Sequence, residues 1–202
     1  IFFLLIMIKL PEKYKALIFD LDGTLADTMP LHYKACQLVC NEKGFDFPED
    51  YFYQEAGKPT IEVFQNLMIK LGKDFDGKIL GKAKEKQFLD LISEVTPLKI
   101  VADIAQSHKG KIPMAIGSGG QRDSVELTLD VIGYTGFFDS IVSCNDVSNH
   151  KPSPETFLKC AEEMGVQAKD CVVFEDGDPG VEAAKVAGMM VVDVRPYFSL
   201  LT

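Results

Sequence analysis

The chain has 202 residues, enough for one sizeable domain or for a domain carrying a smaller inserted one. Apolar residues make up 47% and charged ones 25%, the balance of an ordinary globular protein, which excludes a disordered chain. The 21 basic and 30 acidic side chains leave a net charge of −9. That excludes nucleic acid as the partner, because a phosphate backbone needs a basic stripe, and an anionic substrate must be drawn by a local feature.

In chain order, the first segment is IFFLLIMI, residues 1–8. It is too short to span a membrane, which takes about twenty apolar residues, and it lacks the basic start and cleavage site of a signal peptide. It reads as a buried strand, a non-native addition or the remainder of a longer segment. The run Ala16–Phe19 is the first expected strand. From Met29 to Pro97 no strong strand signal occurs. Helical spacing is found at Leu31–Lys43, Thr60–Leu71 and Ile79–Glu94, punctuated at Gly44, Pro48, Gly57, Pro59, Gly72 and Gly77. Four further apolar runs follow: Pro113–Ile116, Ser140–Val142, Cys171–Phe174 and Met190–Val194. Between them lie the helical patterns Ser124–Ile132, Pro154–Met164 and Pro179–Ala187. Strands alternating with helices predict an α/β fold with a doubly wound parallel sheet, a Rossmann-like core, and near-continuous apolar strands fit a sheet covered on both faces. The expected organisation is a core of residues 11–28 and 97–202 with a helical cap, 29–96, inserted after the first strand.

Five scattered cysteines, Cys36, Cys40, Cys144, Cys160 and Cys171, offer no disulfide framework, which fits a reducing cytoplasm. His32, Cys36 and Cys40 stand at i, i+4 and i+8. The ends of that series lie about 12 Å apart on a helix, too far to share one ion, so the cysteines are expected to pack as small hydrophobes.

In an open parallel sheet, ligands bind beyond the carboxyl ends of the strands. There the sequence places Asp20-Leu21-Asp22-Gly23-Thr24, then Gly117-Ser118-Gly119-Gly120, then His150-Lys151-Pro152, then Glu175-Asp176-Gly177-Asp178-Pro179-Gly180. Asp20, Asp22, Glu175 and Asp176 form a carboxylate nest suited to a hard cation with oxygen ligands, Mg²⁺ above all. Ser118 and the Gly119-Gly120 backbone precede a helix and can hold an anion at its positive end, and Lys151 adds a fixed positive charge. Cation, ammonium and helix N-terminus together describe a phosphoryl site.

The ordered series Asp20-x-Asp22-Gly23-Thr24-x-x-Asp27-Thr28, Ser118, Lys151-Pro152-x-Pro154 and Glu175-Asp176, followed by Gly180-Val181-x-Ala183-Ala184, resembles the haloacid dehalogenase-like hydrolase superfamily. Within it the chain looks like the β-phosphoglucomutase-like branch, and the stretch from His150 to Met189 is especially similar to sugar-phosphate phosphatases of the fructose-1-phosphate phosphatase type. The resemblance implies a Mg²⁺-dependent phosphatase of small sugar phosphates. Asp20 would attack phosphorus to form an aspartyl-phosphate, and Asp22 would serve as general acid and then base. Thr24, Ser118, Gly119 and Lys151 would hold phosphate oxygens. Asp20, the Asp22 carbonyl, Glu175 and Asp176 would bind Mg²⁺. The cap would close over the sugar, with His32, Gly57, Lys58 and Thr60 as its candidate contacts, and Asp27 and Thr28 would cap and position the linker to it.

In related mutases a cap arginine grips a second phosphate. Here Thr60 stands in its place and Lys58 is a point charge rather than a fork, so a phosphatase is expected over a phosphohexomutase. A non-enzymatic phosphoacceptor domain is disfavoured by Asp22 and by the helical insertion. The expected substrate is a small phosphate ester such as fructose 1-phosphate or 6-phosphogluconate, handled by a monomer with no nucleic acid or membrane partner.

Overall fold

The computed structural model describes residues 8–55 and 58–198. The chain divides into two compact units, one containing the described residues up to Asp27 and from Thr96 onward, the other Thr28–Val95.

The first unit is built on five parallel strands: β1 (Ala16–Phe19), β2 (Met114–Gly117), β3 (Ser140–Val142), β4 (Cys171–Glu175) and β5 (Met190–Asp193), in the order β3-β2-β1-β4-β5. The order reverses beside β1, between β2 and β4, which is the switch point where a crevice opens at the strand ends. β1 is completely buried along its length, as a central strand covered on both faces must be. Its side chains alternate between faces. Ala16 and Ile18 join Val173, Phe157, Cys160, Ala183 and Ala184 in one cluster. Phe19 points the other way and stacks on Phe174, with ring centroids 4.8 Å apart. The register pairs Phe19 with both Ile116 and Phe174, and Ile116 with Ile141. The carboxyl ends of the four strands therefore lie level, and the residues after them share one edge.

The helices of this unit are α5 (Lys99–His108), α6 (Arg122–Val131), α7 (Glu155–Glu163), α8 (Asp178–Val186) and the short α9 (Arg195–Phe198). The expected apolar runs and helices fall on the observed elements with ends moved by one or two residues, as frayed ends allow. Helix α5 is an addition to the elements expected from the sequence. Its buried face is Val101, Ala102 and Ala105, too small to stand out as a stripe.

The second unit holds α1 (Met29–Asn41), α2 (Glu49–Gln54), α3 (Thr60–Leu71) and α4 (Gly77–Leu91), ending in a 3-10 turn, Ile92–Glu94. It has a core of its own, built from Val39, Phe47, Tyr51, Phe64, Leu67 and Leu80 together with Cys36 and Cys40. Burial pushes the thiols of Cys36 and Cys40 up to about 12, so both stay protonated and behave as small hydrophobes. Residues 1–7, most of the apolar segment noted above, lie outside the described residues.

Gly77 opens α4 where the helix crosses α3. A Cβ there would lie 2.6 Å from the backbone nitrogen of Gln65 and 2.8 Å from its Cα. Alanine should improve helix propensity by about 1 kcal/mol, yet this close approach reverses the sign. Gly77→Ala is expected to destabilise the helical unit by about 1–3 kcal/mol, read from urea unfolding followed by circular dichroism. A stabilised variant would show that the two helix backbones have room to part.

Candidate active site

Asp20, Ser118 and Asp176 stand just past the ends of β1, β2 and β4, and Lys151 lies in the longer segment between β3 and α7. Asp20 N–H donates to Phe174 O at 3.0 Å, and Ser118 N–H to Val142 O at 2.9 Å. The turn after β1 is closed by Gly23 N–H on Ala26 O, 2.9 Å, with Gly23 at φ 83°, a left-handed value that favours glycine.

At the centre lies Lys151. Its Nζ donates to Asp20 Oδ1 at 2.8 Å and to Glu175 Oε1 at 2.6 Å, and it sits 4.6 Å from the centroid of the Phe157 ring. The lysine and both carboxylates are buried, with side-chain exposures of 8%, 9% and 4% for Lys151, Asp20 and Glu175. The second oxygen of Glu175 accepts from Gly177 N–H at 2.7 Å. Gly180 lies against the same carboxylate, and a Cβ there would fall 1.7 Å from Glu175 Oε1. Only a glycine admits this arrangement, which gives the Gly180 of the sequence pattern a steric cause.

Asp20, Glu175 and Asp176 each offer an oxygen within 4.8 Å of the others. One ammonium does not neutralise this buried group. Burial pushes the Asp20 carboxyl well up, against the pull of Lys151 and with the help of Glu175, Asp176 and Asp22. Burial and then Glu175 push Asp176 up to about 7. For Lys151, burial disfavours the charge but Asp20 and Glu175 outweigh it and raise its pKa. An excess of buried carboxylate is the condition that a hard divalent cation relieves, so the residues fit a metal. Asp22 adds no side-chain oxygen to this group, and the part expected of it is its backbone carbonyl.

Ser118 Oγ accepts from Gly120 N–H at 2.9 Å and points its own hydrogen toward Asp22 Oδ2 at 3.5 Å. That contact is too long to be strong, so the hydroxyl is poised to donate to an incoming oxygen. Ser118 does not cap α6, whose N-cap is Gln121. Gly119 is exposed with nothing near its Cβ position.

Two of the expected residues engage neighbours within the protein. Thr24, expected to hold phosphate, is fully buried and donates its hydroxyl to Asp176 Oδ1 at 2.9 Å. Its proton is committed to orienting that carboxylate. Thr28 is the N-cap residue of α1 but makes no side-chain cap, and its Oγ1 is buried without a hydrogen-bond partner. Asp27 is exposed and holds Thr96 O through its backbone N–H.

In the helical unit, Lys58 pairs with Glu55 at 2.7 Å and Thr60 Oγ1 donates to Glu85 at 2.9 Å. Gly57 lies outside the described residues. His32 stacks on Phe88, centroids 3.9 Å apart, and its Nδ1 accepts from Lys84 Nζ at 2.8 Å. Lys84 is buried and also reaches Glu85 at 3.1 Å. This lysine is absent from the residues singled out in the sequence. Its one signal there is position, since it shares a stripe with Leu80, Gly81 and Phe88.

The haloacid dehalogenase-like hydrolase family matches residues 17–194, and the chain belongs to that family. It is 40% identical over 185 residues to fructose-1-phosphate phosphatase YqaB of Escherichia coli, covering 91% of this chain and 98% of that protein. It is 34% identical over 179 residues to a phosphorylated carbohydrates phosphatase of Thermotoga maritima, covering 87% and 82%. Its fold matches the crystal structure of a β-phosphoglucomutase from Clostridium difficile with a TM-score of 0.79 and 25% identity, over 89% of this chain and 84% of that one. The α/β core and the hydrolase class are thus those of the family. Among the described residues no helix is long and apolar enough to cross a membrane.

The raised carboxyls fix the sign of a pH effect. Between the ordinary carboxylate range and about pH 7 the metal-free folded state holds protons that the unfolded chain has released. Metal-free stability therefore falls as pH rises through that window. A cation must displace those protons: the Asp176 proton alone should weaken its affinity about tenfold per pH unit below 7, roughly a hundredfold at pH 5, and a proton on Asp20 steepens the fall. Unfolding midpoints in EDTA and in millimolar MgCl₂ should show a much larger gain from the metal at pH 8 than at pH 5. Equal gains at both would place the cation elsewhere.

Proposed function

We propose that this chain is a Mg²⁺-dependent phosphatase that hydrolyses small sugar phosphates through an aspartyl-phosphate on Asp20. The observation that carries the reading is Lys151, buried and bound at once to Asp20 and Glu175 at the sheet's switch point. An ammonium placed there can follow the nucleophile's charge onto a phosphoryl oxygen.

Asp20 attacks phosphorus, and the bond from phosphorus to the sugar oxygen breaks as Asp22 delivers a proton to that oxygen. Asp22, now a carboxylate, takes a proton from water, whose oxygen attacks the phosphorus and returns Asp20. Net, one water is consumed and the sugar and inorganic phosphate leave. Ser118 Oγ, the Gly119 N–H and Lys151 hold the phosphoryl oxygens, and Thr24 keeps Asp176 in place. Asp20, the Asp22 carbonyl, Glu175 and Asp176 would hold Mg²⁺, which when bound supplies positive charge against the phosphoryl oxygens.

Support for a sugar phosphate comes from the relatives named for fructose 1-phosphate and phosphorylated carbohydrates. Fructose 1-phosphate leads the panel and 6-phosphogluconate follows. Sugar recognition is assigned to the helical unit, where His32, Lys84, Glu85 and Thr60 form one hydrogen-bonded set, with Gly57 and Lys58 beside them in sequence. All residues required come from one chain, so a monomer suffices. The buried thiols of Cys36, Cys40, Cys160 and Cys171 support a cytoplasmic setting.

The test is phosphate release from a panel of sugar phosphates with Mg²⁺, wild type beside Asp20→Asn. The variant is expected to lose activity by at least about 10³-fold. Formation of glucose 6-phosphate from β-glucose 1-phosphate and glucose 1,6-bisphosphate, without net phosphate release, would make the chain a mutase.

A further inference from the structure

Lysine is a point charge on a flexible four-carbon stem, so its ammonium is only as well placed as its Cα. Lys151 stands in the irregular segment between the 3-10 turn Cys144–Asp146 and α7. What fixes that segment is a side chain outside the motif. Glu155, the first residue of α7, accepts from Ser148 N–H through Oε1 at 2.8 Å. Its Oε2 accepts from Asn149 N–H at 2.8 Å and from Asn149 Nδ2 at 2.9 Å.

Three bonds to one carboxylate gather two successive backbone N–H groups that no strand or helix serves. Bonds to an ionised acceptor are stronger than neutral ones. They fold residues 148–154 back on the first turn of α7, and Ser153 N–H closes the inner turn on His150 O at 2.9 Å. The same helix carries Phe157 under the Lys151 ammonium and Lys159, whose Nζ donates to Asp146 O at 2.7 Å. One rigid nine-residue helix therefore holds both ends of the segment and the ring beneath its cation.

The geometry points to Glu155 as the positioning residue of Lys151: by binding Ser148 and Asn149 it sets where the ammonium meets Asp20 and Glu175, and hence where a phosphoryl oxygen is held. The catalytic consequence rests on the phosphatase reading above, whereas the positional claim does not. Misplacement of a catalytic group by about 1 Å can cost a hundredfold in rate.

The experiment uses the full chain as wild type, Glu155→Ala, Glu155→Asp, Glu155→Gln, Lys151→Ala and the Glu155→Ala/Lys151→Ala double variant. Thermal unfolding first establishes that each is folded. The Lys151 ammonium, buried and doubly bonded, should give a slowly exchanging ¹⁵N–¹H cross-peak, identified by its loss in Lys151→Ala. In Glu155→Ala that peak should shift or vanish by exchange, with Glu155→Asp or Glu155→Gln restoring it in part. In phosphate release, kcat of Glu155→Ala should fall roughly 10- to 100-fold with KM moving less than about threefold, the pattern of a lost transition-state interaction. The double variant should be no slower than Lys151→Ala alone.

An unchanged Lys151 cross-peak in folded Glu155→Ala would overturn the inference, as would a Glu155 effect that multiplies in full on the Lys151→Ala background. If wild type releases phosphate from no ester, it is the phosphatase reading that fails, and the cross-peak still decides the role of Glu155.

Discussion

The site depends on one interaction, the burial of the Lys151 ammonium between Asp20 and Glu175. Taking three charges out of water is costly, and an ion pair in a dry interior is repaid only by close geometry and full hydrogen bonding. Here the distances are short, 2.8 and 2.6 Å, and the remaining Glu175 oxygen is bound by Gly177 N–H. Removal of a partner from a buried pair typically costs about 3–5 kcal/mol because the survivor is left uncompensated. The balance is also incomplete by design. Asp176 adds a further carboxylate that the lysine does not reach directly, and this residual charge is what makes the place receptive to a cation.

Much of the surrounding architecture can be understood as what this cluster needs. Parallel register levels the strand ends, so four short loops arrive at one edge. Gly180 clears space for the Glu175 carboxylate. Gly117, at the end of β2, does the same for α7, since a Cβ there would come within 3.0 Å of the Phe157 ring and 3.2 Å of Cys160 Sγ. Close seating of α7 on the sheet thus brings Phe157 beneath the ammonium. Packing of the core and placement of the charge are the same contact seen from two sides.

A second network braces the phosphate loop. Arg122, at the start of α6, reaches Asp146 Oδ2 at 2.5 Å, and its backbone N–H donates to Asn145 Oδ1 at 2.9 Å. The same Asp146 oxygen accepts from both the N–H and the hydroxyl of Ser143, and Cys144 N–H returns to Gly120 O at 3.0 Å. Burial pushes the Asp146 carboxyl up, but the Ser143 bonds and Arg122 outweigh it and hold the group below its usual range. The ends of β2 and β3 are tied together there, and with them Ser118 and the start of the Lys151 segment.

What the sequence makes legible follows from what each residue has to do. Asp20, Ser118 and Asp176 are readable because packing alone rarely puts reactive side chains just past successive strand ends, and Lys151 because Pro152 and Pro154 follow it. The bond from Thr24 to Asp176 is not legible, because a hydroxyl looks the same in sequence whether it faces a ligand or a neighbouring carboxylate. Glu155 and Asp146 are invisible because an acid near a helix start is ordinary; only the loop that returns to it gives it a task. The two buried lysines draw the same distinction. Lys151 is compensated by two buried carboxylates distant in sequence. Lys84 is compensated within its own helix by Glu85 and the Phe88 ring 5.5 Å away, and from α1 by His32. An ammonium has no acceptor to offer, so His32 must accept at Nδ1 and carry its proton on Nε2. A lysine that occupies a core position of its own helix dictates the tautomer of the histidine beside it, and its place on an otherwise apolar stripe is the only trace of that in the sequence.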